Sequence, residues 1–265
     1  MAQATSRGRF IWHELMTTDP KAAVSFYTRI VGWKPQAWEK DPSYTVLLAD
    51  SGPVAGVMTL PAETKAMGTP PNWLTYIETP DPKATVDAAV RLGARVLKPL
   101  TEIADVGRFA VLADPQGAVF APFTSASPVQ VNDPPQPGEF SWHELVTTDY
   151  GSALRFYQEL FGWEKAEAMD VGAPVGVYQM FGWGGKSMGG IYNKPKEMPA
   201  PPHWLPYAMV ADSRTAATTV TEAGGKVMAG PMEVPGGDLI VLGLDPQGAA
   251  FAVHSHATAA AAAQP

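Results

Sequence analysis

The chain has 265 residues, 46% hydrophobic and 17% charged, with 26 acidic against 19 basic residues, a formal net charge of -7 and no cysteine. The missing cysteine excludes disulfides, thiolate nucleophiles and Cys-ligated zinc or iron–sulfur sites. An acidic balance without a Lys/Arg cluster argues against nucleic acid or an anionic membrane surface as partner.

In chain order, residues 10–17 alternate as a strand, and Asp19 followed by Pro20 reads as a helix cap and first turn. Val24, Phe26, Tyr27, Ile30 and Val31 form a helical stripe that stops at Gly32. Short strands are expected around 44–49 and 54–60, then at 73–79. Asp81-Pro82 opens a second helix with Val86, Ala89, Val90 and Leu92 as its stripe and Gly93 as its stop. Strands at 94–98, 108–113 and 118–123 follow. The segment from Thr124 to Glu139 carries Pro128, Pro134, Pro135 and Pro137 and reads as a stiff linker.

After the linker the pattern starts again. Phe10-Ile-Trp-His-Glu-Leu-Met-Thr-Thr-Asp19 returns as Phe140-Ser-Trp-His-Glu-Leu-Val-Thr-Thr-Asp149, eight of ten positions being identical. Phe26-Tyr27 is matched by Phe156-Tyr157, Gly32-Trp33 by Gly162-Trp163, and Asp114-Pro-Gln-Gly117 by Asp245-Pro-Gln-Gly248. Such a repeat sets the architecture. The expected domains are 8–124 and 139–256, with 125–138 as linker and 257–265 as a frayed Ala-rich tail. Each copy holds two half-units of the order βαβββ. The fold class is α+β: a tandem duplication of a paired βαβββ domain, four half-units whose curved mixed sheets surround a cavity. The two domains are expected to pack on each other within one chain, as a monomer or a homodimer. No stretch approaches 18 apolar residues and Met1 to Arg9 hold no apolar signal core, so a cytoplasmic location is expected.

With Phe-Tyr in the first helix, Gly-Trp after it and Asp-Pro-Gln-Gly before the last strand, the chain resembles the glyoxalase/bleomycin-resistance/extradiol-dioxygenase superfamily. This is the vicinal oxygen chelate fold, met here as two tandem domains over 10–123 and 140–254. The resemblance implies metal ligands seven residues before the helix-capping Asp and seven after the Asp of Asp-Pro-x-Gly. Those positions hold Trp12, Trp142, Leu74, Leu205, Ala121 and Ala252, with Gly56 and Gly189-Gly190 on the closing strands. None binds a divalent cation in ordinary protein chemistry. A slip of one residue would bring in only His13 or His143, and the neighbouring Glu14 or Glu144 then points to the other face. No metal and no cofactor are expected.

On the face carrying Trp12, Glu14 and Met16, and its counterpart Trp142, Glu144 and Val146, an aromatic wall stands beside a carboxylate. Glu14 and Glu144 are the candidate catalytic groups, as general bases or as carboxylates held in structural pairs. Trp12, Trp142, Tyr44 and Tyr178 are the candidate ligand contacts, with core packing as the alternative. His13 and His143 are expected to face the helices and donate to backbone carbonyls. His254 and His256 read as a terminal surface pair, and His203 as a loop hydrogen bonder. Gly185-Lys186-Ser187 reads as a hairpin turn, because Met180 stands where a phosphate-binding loop needs its first glycine. The main expectation is metal-independent binding of a small, partly apolar or aromatic metabolite. The alternatives are a small-molecule isomerase or lyase, a glyoxalase- or dioxygenase-type enzyme, and a protein-interaction module with a filled cavity.

Overall fold

In the computed structural model, which describes residues 7–129 and 131–257, the chain runs β1 (Phe10–Thr17), α1 (Pro20–Val31), β2 (Lys34–Trp38), β3 (Asp41–Ala49), β4 (Gly52–Thr59), α2 (Ala62–Ala66), β5 (Asn72–Glu78), α3 (Pro82–Arg91), β6 (Arg95–Ile103), β7 (Gly107–Ala113) and β8 (Val119–Ser125). The second copy follows as β9 (Phe140–Thr147), α4 (Tyr150–Phe161), β10 (Glu164–Asp170), β11 (Val177–Trp183), β12 (Lys186–Asn193), β13 (His203–Met209), α5 (Ser213–Glu222), β14 (Lys226–Glu233), β15 (Leu239–Leu244) and β16 (Ala250–Ser255). Most of the expected tail, 258–265, lies outside the described residues.

The four long helices begin as their sequences dictate. The carboxylates of Asp19, Asp81, Asp149 and Asp212 accept from the backbone N–H of Ala22, Ala84, Ser152 and Thr215, which satisfies donors that a helix start leaves open. Gly32 and Gly162 end α1 and α4 in the left-handed conformation, with φ of 88° and 73°.

Hydrogen-bonded neighbours run β2-β3-β4-β1-β5-β8-β7-β6 in one sheet and β10-β11-β12-β9-β13-β16-β15-β14 in the other. Both are mixed, with β1·β4 and β9·β12 parallel and the hairpins antiparallel. The expected βαβββ grammar is present, but the expectation of curved sheets around a cavity is corrected: both sheets are open, and neither closes or curls strongly. The edge strands explain this. β2, β6, β10 and β14 expose nearly every side chain, so little apolar surface exists to draw the two edges of a sheet together. At the β11–β12 turn, Gly184 and Gly185 both take positive φ, 59° and 77°, as a two-residue hairpin turn of this type demands.

Burial divides the chain into two compact units, each built from the first half of one copy and the second half of the other. Among the described residues, one takes Leu74–Val131 and Trp142–Leu205 with residues 7–12; the other takes His13–Trp73 and Asn132–Ser141 with residues 206–257. The repeated motifs explain each core. In the first unit, Asp114 accepts from the backbone N–H of Gln116, Gly117 and Ala118 through one oxygen and from the Tyr157 hydroxyl through the other, at 3.1 Å. The Tyr157 hydroxyl in turn accepts from the Trp204 indole at 3.0 Å. In the second unit Asp245, Tyr27 and Trp73 repeat the chain of contacts, at 3.2 Å and 3.1 Å. Burial pushes both carboxyls above the usual range, against the pull of their donors. The Gly-Trp motif is equally structural: Trp163 donates to the Gly8 carbonyl and Trp33 to that of Gly138.

Candidate functional site

Strand alternation sorts β9 into two faces. Leu145 joins the helix-side core, so Trp142 and Glu144 project from the opposite face. Glu144 is 8% exposed and sits beside Gly190 of β12 in the parallel register. An added Cβ at Gly190 would land inside the Tyr178 ring, so the glycine is what lets Tyr178, on β11, lie flat across β12. The Tyr178 hydroxyl donates to Glu144 Oε2 at 3.1 Å and accepts from the Trp142 indole at 2.8 Å. Tyr192, stacked on Tyr178 at 5.9 Å, also hydrogen-bonds the Glu144 carboxylate. Burial first, and then the Glu144 charge, pushes both phenols well up, so they are neutral donors near pH 7. The structure therefore brings together three of the expected residues, Trp142, Glu144 and Tyr178. It adds Tyr192, for which no signal was read in the sequence.

The first copy is a thinner version. Tyr44 donates to Glu14 Oε2 at 3.0 Å and its ring occupies the space over Gly56, which pairs with Glu14. Met58 stands where the second copy has Tyr192, each being paired with the residue two beyond the glutamate. Trp12 is half-buried on the same strand.

The histidines separate by environment. His13 and His143 are buried, with rings stacked on Phe140 at 3.7 Å and Phe10 at 3.6 Å respectively. Burial drives His143 down to about 3, partly offset by its bond to the Met188 carbonyl, and the ring is neutral. His203 bonds the Pro201 carbonyl at 2.8 Å.

His254 and His256, expected as a terminal pair, lie side by side with ring centroids 5.4 Å apart, and both contact Asp238. His254 Nε2 lies 2.9 Å from Asp238 Oδ2, and His256 Nδ1 lies 3.2 Å from the same oxygen. The three residues place one ligand atom each within 4.8 Å of one another. Burial would raise Asp238, but the contacts with His254, the Ala257 N–H and His256 outweigh it and hold the carboxyl below its usual range.

The positions where the resemblance implies metal ligands do not fit an ion. Ala121 pairs with Tyr76, whose ring meets Phe109 and Phe123 at 5.7 and 5.9 Å, and Ala252 pairs with Tyr207. Gly56 and Gly190 lie beneath tyrosine rings. Among the described residues, no group of three metal-binding donors converges at these positions.

Residues 12–122 match a glyoxalase-like domain, and residues 139–253 match the glyoxalase/bleomycin resistance protein/dioxygenase superfamily. A putative glyoxylase, CFP32, from Mycobacterium tuberculosis is 32% identical over 91% of this chain and 92% of its own length. Among solved structures, the 2,3-dioxygenase LapB from Pseudomonas sp. KL28 superposes with a TM-score of 0.65 at 11% identity, over 96% of this chain and 94% of that one. A Mn(II)-bound glyoxalase from Novosphingobium aromaticivorans does so at 0.63 and 14%, over 96% and 83%. The expectation of strictly metal-independent binding is corrected by the chain's own residues: three ligand-competent side chains meet at Asp238, His254 and His256. On its motifs, its duplication and its likeness to CFP32 over nearly its whole length, the chain belongs to the glyoxalase/bleomycin resistance protein/dioxygenase superfamily, as a tandem two-domain member.

Proposed function

We propose that the protein is a small-molecule enzyme of the isomerase or lyase kind, with Glu144 as its proton-transfer group. The observation that carries this reading is a nearly buried carboxylate accepting from two neutral phenols, Tyr178 and Tyr192, one of them oriented by the Trp142 indole. Two phenols orient this carboxylate, and its burial withholds it from bulk water until it meets an acidic C–H. In the reaction, the C–H bond α to a substrate carbonyl breaks. On an α-hydroxycarbonyl the proton goes to Glu144 and the electron pair to the carbonyl oxygen, giving an enediolate. The hydroxyl proton shifts to that oxygen, the second oxygen becomes the new carbonyl, and Glu144 returns its proton to the former carbonyl carbon. Trp142 and Tyr178 give the substrate an apolar wall with a hydroxyl at its edge. Glu14 and Tyr44 form the corresponding, less buried pair, and catalysis falls mainly on the second copy.

Deuterium exchange into small α-hydroxycarbonyl and aromatic carbonyl compounds, followed by NMR, tests this. Glu144→Gln is expected to lose about 10²–10⁴-fold in exchange and turnover. Equal rates in wild type and Glu144→Gln would overturn the assignment. A second reading, a metal-assisted glyoxalase- or dioxygenase-type reaction, is favoured by the Asp238, His254 and His256 cluster. It predicts turnover that chelation abolishes and Glu144→Gln spares.

A further inference from the structure

We infer that Asp238, His254 and His256 form a binding site for one late first-row divalent cation, of which Zn2+ is the reference. Two imidazoles and a carboxylate are the donor set that zinc and its neighbours prefer over magnesium or calcium. The spacing is close to what an ion requires. Ligand atoms 2.0–2.1 Å from a tetrahedral ion stand about 3.3 Å apart, and here the separations from Asp238 Oδ2 are 2.9 Å to His254 and 3.2 Å to His256.

Strand geometry assembles the set. His254 and His256 are two residues apart, so they share a face at the end of β16, and Asp238 immediately precedes β15, the antiparallel neighbour. His254 is braced from behind. Its Nδ1 lies 2.9 Å from Ser141 Oγ, which is itself within 3.4 Å of the Tyr207 carbonyl. In the tautomer whose Nδ1–H donates to Ser141 Oγ, Nε2 is the atom that can ligate an ion beside Asp238. This is the arrangement in which a second hydrogen bond fixes a ligating histidine. His254 is largely buried at 14% side-chain exposure, Asp238 is at 29% and His256 at 64%, so the remaining coordination positions open to solvent.

The comparison between copies gives independent support. At the matching points of the first copy stand Gly107 for Asp238, Phe123 for His254, Ser125 for His256 and Ile11 for Ser141. The register is secure, since Gly107 pairs with Ser125 and Leu239 pairs with Ser255 in the equivalent hairpins. There the first copy has only an open cleft of about 210 Å3 lined by Glu102, Asp105, Arg108 and Thr124 among others. The three ligands and their brace are therefore a set that only the second copy has. The cluster also lies apart from the positions where the family resemblance implies ligands, His254 being two residues beyond Ala252.

Isothermal titration of ZnCl2 into the untagged, EDTA-stripped full chain tests the site, with CoCl2 absorption reporting ligand geometry. One equivalent per chain, not two, is expected. His254→Ala and Asp238→Asn should each weaken binding by more than about 100-fold, and Ser141→Ala by about 10-fold or more through loss of the brace. His256→Ala, at an exposed position, should keep the metal-free melting temperature while losing the rise that Zn2+ gives the wild type. Glu144→Gln should bind as the wild type does. No stoichiometric binding of Zn2+ or Co2+ by the wild type would overturn the inference and leave a histidine–carboxylate hydrogen bond. So would binding that survives both Asp238→Asn and His256→Ala.

Discussion

His143 makes acid sensitivity a quantitative test of how the core is built. Its ring is buried against Phe10 and donates to the Met188 carbonyl, and burial lowers its pKa from 6.5 to about 3. The folded protein thus keeps this ring neutral down to about pH 3, whereas the unfolded chain protonates it below 6.5. Unfolding therefore takes up a proton between those limits, and stability is full above pH 6.5 and falls as the pH is lowered. At pH 5 the loss is RT ln(1 + 10^1.5), about 2 kcal/mol relative to pH 8. That figure depends on the unfolded value and hardly at all on the folded one, because pH 5 is well above it. His143→Leu removes the titration while leaving an apolar side chain on Phe10. It should lower stability at every pH through the unpaired carbonyl, yet shrink the pH 8-to-5 loss by about 2 kcal/mol. Urea unfolding of both proteins at both pH values measures this double difference, in which Asp114, Asp245 and His203 cancel. Equal pH dependence in wild type and variant would refute the reasoning and show that the ring protonates in the folded state.

Tyr157→Phe deletes the donor to Asp114 and the acceptor of the Trp204 indole, both buried. It should cost about 1–3 kcal/mol in denaturant unfolding, and Tyr27→Phe should cost a similar amount through Asp245 and Trp73. Gly190→Ala forces the Tyr178 ring off β12, so tyrosine fluorescence and carbonyl turnover should both change, with about 1–3 kcal/mol of destabilisation from overpacking; unchanged turnover would detach Tyr178 from the reaction. Asp149→Ala removes a helix cap at α4 and should cost about 1 kcal/mol in the same unfolding assay.

Much of this was written in local pattern. Asp-Pro and Asp-Tyr caps, left-handed glycines and alternating strands fix the helices and the face on which Trp142 and Glu144 stand. The same alternation, with a tyrosine on the neighbouring strand, was enough to expect Tyr178 near them. β2 and β10 were not seen because they are edge strands: nearly all their side chains face solvent, which leaves no period-two apolar signal. Tyr192 escaped for a different reason. It sits where the first copy has Met58, so the repeat gave no hint that the position carries a polar contact. The Asp238 cluster was out of reach because it depends on the register of the β15–β16 hairpin across sixteen residues of chain, from Asp238 to His254. Nor does a repeat disclose that its halves exchange partners, since Asp114, Tyr157, Asp245 and Tyr27 look unrelated until the cores are assembled.

That exchange bears on where the two copies were free to differ. Each core takes a helix and an Asp-Pro-Gln-Gly turn from different copies, so a change in Tyr27, Trp33, Trp73 or Asp245 has to be matched by residues of the other half. Close packing makes such changes costly singly, and the motifs accordingly stand in both copies. The strand faces turned away from the helices lie outside the two helix-side clusters. There the copies part: Met58 against Tyr192 beside the glutamate, Gly107, Phe123 and Ser125 against Asp238, His254 and His256 at the hairpin end. Both polar additions fall on the second copy, one completing a carboxylate with a second phenol and the other completing a three-donor cluster. A change on one of these faces is local in its cost, so it can alter chemistry without reopening a core. Substituting Tyr192→Met should therefore return the Glu144 site to the state of the Glu14 site with little change in unfolding free energy, under about 1.5 kcal/mol. A loss of stability as large as that of Tyr157→Phe would mean that the helix-free face is part of the core after all.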